Sequence, residues 1–263
     1  MRTVVTVDIA LTVSVAAEVV FSVVPATGWA TEERLDLAAD GHAIVPVERE
    51  DAHGTRLHRA VLPAGAASLT YRAEVSPPAA PATSDDLDPV RYLRPSRYVP
   101  SDLLSDEASA FVGLPPREIV TRVLREVAAR LEYAPGSSGP TDSALDALRA
   151  GVGVCRDFAH VTIALLRASG VPARLVSAFA PGLDPMDFHA VVEAFVEGRW
   201  EVVDATRLAP RAHLARIATG RDAADTAFLT TISGAVALDS VEVTAVARGD
   251  LQLDDTESAV LLR

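Results

Sequence analysis

The sequence holds one cysteine among 263 residues, Cys155, in the stretch GVGVCRDFAH. Two glycines precede it and a helical pattern follows. Phe158, Val161, Leu165 and Ala168 fall on one stripe, and Gly170 ends it. A thiol there sits at the positive end of a helix dipole, beside free backbone N–H groups. That setting favours the thiolate, the reactive form. It also offers donors to an oxyanion formed during attack on an acyl carbon. A lone cysteine is more often a small buried hydrophobe, so position alone does not decide.

A nucleophilic cysteine needs a base, and the base needs an orienting group. Six histidines are available. His42, His53 and His58 lie among charged residues and are expected at the surface, as is His213 in its Arg-rich stretch. His160, five positions after Cys155, is expected to pack or hydrogen-bond near the site. His189 differs, because it lies in a strand pattern, DFHAVVEAF. The next strand pattern, RWEVVDAT, ends at Asp204. With Glu197 and Gly198 as a two-residue loop, Val196 opposes Arg199 and Val191 opposes Asp204. His189 then shares a face with Asp204 as a diagonal neighbour, about 7–8 Å away at the backbone. A turn centred one residue earlier opposes them directly, and a three-residue loop separates their faces. The spacing thus permits an imidazole held by a carboxylate. A core histidine and a strand-end turn former are the bland alternatives. All three residues in one arrangement are much rarer by chance.

Other chemistries have less support. Cys155 with His160 offers too few ligands for zinc, so no metal is expected. No Walker loop occurs, and no G-x-G-x-x-G follows a strand, so no cofactor is expected. The net charge is −12 and there is no lysine. An acidic chain is a poor partner for nucleic acid or an anionic membrane.

The elements around these residues come from periodicity and turn chemistry. From Thr3 to Phe21 apolar residues alternate with polar ones, the mark of a half-buried strand and not of a membrane span. No basic start with a cleavage site precedes it, which points to a cytoplasmic protein. Residues 1–78 read as an N-terminal β domain, with Asp40 and Gly41 as a turn. Residues 76–89, SPPAAPATSDDLDP, read as a linker, and 79–104 as linker and connecting segment. In 105–263 helices precede strands. Ile119, Val120, Val123, Leu124, Val127 and Leu131 give one helix. TDSALDALRAG gives another, with Thr141 as its N-cap and Gly151 as its stop. ARLVSAFA is a strand, FHAVVEAFVEGRWEVVDAT a hairpin, and GAVALDSVEVTAVAR a further strand. The expected class is α+β.

GVGVCRDFAHVTIALLRASGVPARLVSAF followed by DFHAVVEAFVEGRWEVVDAT resembles the core of bacterial transglutaminase-like proteins. RYLRPSRYVPSD, residues 91–102, resembles the segment joining that family's β domain to its core. RIATGRDAADTAFLTTISG, residues 216–234, resembles its C-terminal GRD stretch. The resemblance implies an antiparallel β-sandwich-like N-terminal domain and a papain-like core, helices packed on an antiparallel sheet. It also implies Cys155 as nucleophile, His189 as general base and acid, and Asp204 as orienting carboxylate. Tyr133, in LEYAPG, resembles a position lining the site. With Gly153, Arg156, Asp157 and His160 it makes up the substrate-binding or oxyanion candidates. Two departures stand out: DAT replaces the family's Asp-Pro-Thr, and no equivalent of the animal enzymes' oxyanion Trp precedes Cys155. The implied activity is acyl transfer or hydrolysis at a carboxamide or peptide bond through a thioester. The partners are then a peptide or amide substrate and, for transamidation, an amine acceptor. A catalytically silent binding module of the same fold is the alternative.

Overall fold

The period-two alternation of the first residues becomes a single strand, β1 (Arg2–Phe21), with Val5, Val7, Ile9, Leu11, Val13, Ala17, Val19 and Phe21 buried. Val15 breaks the pattern and is exposed, where the pairing register shifts at a bulge. Further strands follow as β2 (Ala30–Ala39), β3 (His42–Ile44), β4 (Val47–Glu50), β5 (Arg56–Leu62) and β6 (Gly65–Val75). The first half of β1 pairs with β6 and its second half with β5, so the sheet bends about the middle of β1. The computed structural model describes residues 2–78, 85–256 and 258–262. The centre of the expected linker, residues 79–84, lies outside the described residues.

The chain then forms short α1 (Asp88–Arg91) and α2 (Ser105–Ala108), α3 (Pro116–Arg130), β7 (Glu132–Tyr133), α4 (Ala144–Ala150), β8 (Val152–Gly153) and α5 (Cys155–Ala168). After α5 come β9 (Ala173–Phe179), β10 (Phe188–Val196), β11 (Arg199–Val203), β12 (Ala215–Gly220), α6 (Ala223–Thr226) and β13 (Leu229–Arg248). Strands β11, β10, β9 and β12 make an antiparallel sheet in that order. One of its faces, with Leu175, Val192, Ala194 and Val203, packs against α3 and α5 through Val123, Val127, Ile163 and Leu166. Val176, Val191, Val202 and Ile217 belong instead to the core shared with Val7, Leu69 and Tyr71 of the large sheet. The smaller sheet therefore lies between a helical layer and the large sheet.

Four expectations change. Strand β13, read as part of the 105–263 core, pairs antiparallel with β1 over nearly its whole length, from Arg2↔Arg248 to Phe21↔Leu229. The large sheet thus takes in a strand from the end of the chain, which local periodicity does not report. The N-cap of α4 is Ser143 and not Thr141, with Asp146 completing a capping box. His58 is buried, because it shares the inward parity of Ala60 and Leu62 on β5. His53 is half-buried, with Nε2 at 2.8 Å from the Tyr92 hydroxyl, whereas His42 is exposed.

Between the two sheets lies a buried charged group. Glu193 takes Arg174 Nε at 2.7 Å and Arg216 Nη2 at 2.7 Å. The Arg174 guanidinium stacks on Trp200 at 4.2 Å, and Asp88, fully buried at the end of the expected linker, faces it at 3.5 Å. The connecting segment is therefore packed into the structure where it is described.

Candidate active site

Cys155 is the first residue of α5 and is partly exposed. The turn before it is built by backbone geometry. Gly151 ends α4 at φ 69°, a conformation glycine adopts without strain. A Cβ on Gly153 would lie 2.7 Å from the Asp157 Cβ, so only glycine lets Asp157 fold back. Asp157 Oδ2 then accepts the Val154 N–H at 2.9 Å and caps the helix. Pairing of Tyr133 with Gly153 across β7 and β8 fixes the Tyr133 segment against this turn.

The hairpin delivers the other two residues. Val196 opposes Arg199, and the intervening Glu197 and Gly198 both have positive φ, 52° and 79°, as a type I′ turn requires. His189 Nε2 donates to Asp204 Oδ2 at 2.8 Å, with both side chains buried. The carboxylate is itself held, since Asp204 Oδ1 accepts the Thr206 N–H at 2.8 Å and the Thr206 hydroxyl at 2.7 Å. In the neutral ring the bond to Asp204 fixes the tautomer that carries its proton on Nε2. Nδ1 is buried, and Cys155 is the other side chain acting on the ring.

The electrostatics follow from these contacts. Burial opposes charge on His189, but the hydrogen bonds and charges of Asp204 and Cys155 outweigh it and raise the pKa to about 10. Burial likewise opposes charge on Asp204, and its bonds to His189 and Thr206 still hold the carboxyl below its ordinary range. The Tyr133 phenol is pushed up by burial and by the charges at Cys155, Asp187 and Asp204, while the Cys155 N–H partly offsets them. The phenol therefore keeps its proton as a donor beside that amide. Burial also raises the Asp187 carboxyl, on the loop entering β10.

Thus Cys155, His189, Asp204 and Tyr133 come together. The other four candidates have their bonds within the scaffold. Gly153 and Asp157 shape the turn. Arg156 donates to Ser138 Oγ at 2.5 Å and to the Gly139 carbonyl at 2.7 Å, tying down the loop before α4. His160 is fully buried, stacks on Tyr98 with centroids 5.4 Å apart, and its Nε2 accepts the Ala223 N–H at 3.1 Å. Burial keeps this ring neutral, lowering its pKa to about 4. It is a brace, as its expected structural role requires, and presents nothing to a substrate. Asp222 joins it, accepting the Tyr98 N–H at 2.9 Å. Sequence reasoning passed over Thr206, although its position two residues after Asp204 is that of an Asx-type partner. Among the described residues no group of three or more His, Cys, Asp or Glu side chains is placed to hold a metal, and no helix is long and apolar enough to cross a membrane.

Residues 110–205, which span the turn, the nucleophile candidate and the hairpin, match the transglutaminase-like superfamily. The crystal structure of a proposed cysteine protease from Cytophaga hutchinsonii superposes with a TM-score of 0.84 at 30% identity, covering 97% of this chain and 93% of that one. The chain belongs to the transglutaminase-like superfamily. An uncharacterised protein of Mycobacterium leprae is 33% identical over 180 residues, 63% of this chain and 64% of that protein. One of Mycobacterium tuberculosis is 40% identical over 82 residues, 28% of this chain and 26% of that protein. The chain thus matches less than two thirds of the length of these curated relatives. The α+β class and the papain-like core agree with the membership. Membership supports thiol-dependent catalysis as the general chemistry of this fold.

Proposed function

We propose that this transglutaminase-like protein is a thiol acyl-transfer enzyme acting on a carboxamide or peptide bond. Cys155 Sγ, its proton passed to His189 Nδ1, attacks the carbonyl carbon. The negative oxygen of the tetrahedral intermediate accepts the Cys155 N–H and the Tyr133 O–H, which takes the place of the absent indole. The C–N bond then breaks, ammonia or an amine leaves with the proton from His189, and a thioester remains on Cys155. Water or an acceptor amine, deprotonated by His189, attacks the thioester and releases Cys155. Water makes the reaction an amidase or peptidase step, and an amine makes it a transamidation.

The observation that carries this reading is a buried imidazole bonded to Asp204 at 2.8 Å, with Cys155 close enough to raise its pKa. The test is mass spectrometry of the native protein quenched with a panel of peptide and carboxamide donors. A thioester on Cys155 that disappears in Cys155→Ala and in His189→Ala is expected. Native Cys155 that reacts with neither iodoacetamide nor any donor until denaturant is added would refute it.

A further inference from the structure

The helical layer carries a cationic recess next to the catalytic turn that the reaction above does not use. An open cavity of about 520 Å³ is lined by Leu131, Tyr133, Phe158, Ala205 and Thr206, with Arg125 and Arg207 at its edge. Its wall is continuous with the site. Tyr133 is the expected oxyanion donor, and its ring lies 6.1 Å from that of Phe158, three residues along α5 from Cys155. Ala205 and Thr206 directly follow Asp204. A second cavity, of about 310 Å³, shares Arg125 and Arg207 and extends the groove along α3.

These two arginines differ from the others nearby. On α3, Arg117 pairs with Glu197 and Glu201, Arg122 with Glu118, and Arg130 with Glu126. Arg211, in the second cavity, pairs with Asp254. Among the described residues Arg125 and Arg207 have no carboxylate within ion-pair distance, in a chain whose net charge is −12. Arg207 also sits at φ 56°, a backbone conformation that strains a side chain with a Cβ. Glycine or asparagine would suit that backbone better. The strain falls on the residue after Thr206, whose loop is bonded to the Asp204 carboxylate.

The geometry points to a carboxylate-binding subsite: Arg125 and Arg207 receive an anionic group of the acyl donor, an acidic side chain or a free terminal carboxylate beside the reacting carbonyl. The apolar floor of Ala128, Leu131, Phe158 and Ala205 takes the carbon chain that carries it. This rests on the acyl-transfer reading, because it needs Cys155 to be the reacting atom.

The test uses affinity alkylation of the whole native chain. N-iodoacetyl-glutamyl amide and N-iodoacetyl-glutaminyl amide differ only in side-chain charge, N-iodoacetylglycine carries a terminal carboxylate, and iodoacetamide is the neutral reference. For each protein, rates at Cys155 are divided by that protein's iodoacetamide rate. Wild type is expected to prefer a carboxylate-bearing reagent by about fivefold, with the preference shrinking at about 1 M salt. It should fall to about one in an Arg125→Gln/Arg207→Gln double variant. Both residues are exposed, and unchanged thermal melting would show the variant folded. Preference for the glutamyl reagent assigns the groove to an acidic side chain, and preference for N-iodoacetylglycine assigns it to a chain terminus. Normal iodoacetamide labelling with no charge preference, or a preference that survives in the double variant, overturns the subsite and leaves the acyl-transfer reading standing. No labelling of native Cys155 by iodoacetamide overturns both.

Discussion

Replacing Asp204 by Asn isolates the contact on which the catalytic reading depends. The substitution keeps size and shape and leaves an amide oxygen near His189 Nε2, but removes the negative charge. In the wild type, burial disfavours imidazolium, and the Asp204 hydrogen bond is the largest opposing contribution. A hydrogen bond to a charged group contributes about 1.5–3 kcal/mol, which is about one to two decades in a protonation equilibrium. His189 in Asp204→Asn should therefore titrate at least a decade lower, with burial and Cys155 left to compete. The direct assay is an NMR titration of the His189 ring in protein labelled at histidine, assigned by comparison with His189→Gln. A parallel assay is the iodoacetamide rate at Cys155 against pH, whose His189-dependent component should end at least a decade lower in pH than in the wild type. Stability supplies a third readout. The His189 pKa rises on folding, so the charged pair stabilises the fold fully below the unfolded value of 6.5. That contribution fades as pH rises toward about 10. Asp204→Asn should flatten this alkaline decline. An unchanged His189 titration in a folded variant would refute the reasoning, since the imidazole would then owe its charge to something other than Asp204.

Other perturbations probe the supporting structure. Thr206→Val removes the hydroxyl bonded to Asp204 Oδ1 at 2.7 Å and keeps the backbone donor. Turnover of a donor found by the trapping experiment should fall about five- to tenfold through kcat, with KM nearly constant. Gly153→Ala places a Cβ 2.7 Å from the Asp157 Cβ. Thermal and urea unfolding should show a loss of about 1–3 kcal/mol, with slower alkylation of Cys155. His160, buried and neutral with a pKa lowered to about 4, stabilises the fold only while the unfolded chain is also neutral. Stability should fall by about 3 kcal/mol as pH drops from about 6.5 to 4, and this acid slope should be absent in His160→Phe. Glu193→Gln leaves Arg174 and Arg216 buried beside a neutral amide. Urea unfolding should report a loss of about 3–5 kcal/mol.

What could be read from the residues divides along a physical line. The Cys155 turn was legible because its signals are local: two glycines just before the thiol and a helix stripe just after it. The His189–Asp204 pairing was legible because a two-residue turn fixes register, and register fixes which side chains share a face. Pairing between β1 and β13 was not legible. Alternation says that a strand has a buried face but not which strand it meets more than two hundred residues away. His58 shows the same limit at smaller scale, since its charged neighbours suggested the surface while its parity with Ala60 and Leu62 put it inside. The resembling segments at 91–102 and 216–234 were visible as text and carried no mechanism of their own. Packing supplies it: Tyr98 from the first and Asp222 and Ala223 from the second close on His160, on the helix that presents Cys155. Their residue types then answer to the seating of one helix, the one that presents Cys155. Arg125 and Arg207 fall outside that constraint, because none of the described contacts requires a cation at either place. They are accordingly the positions where a related chain acting on a different acyl donor should first differ, whereas Tyr98, His160 and Asp222 should change only together.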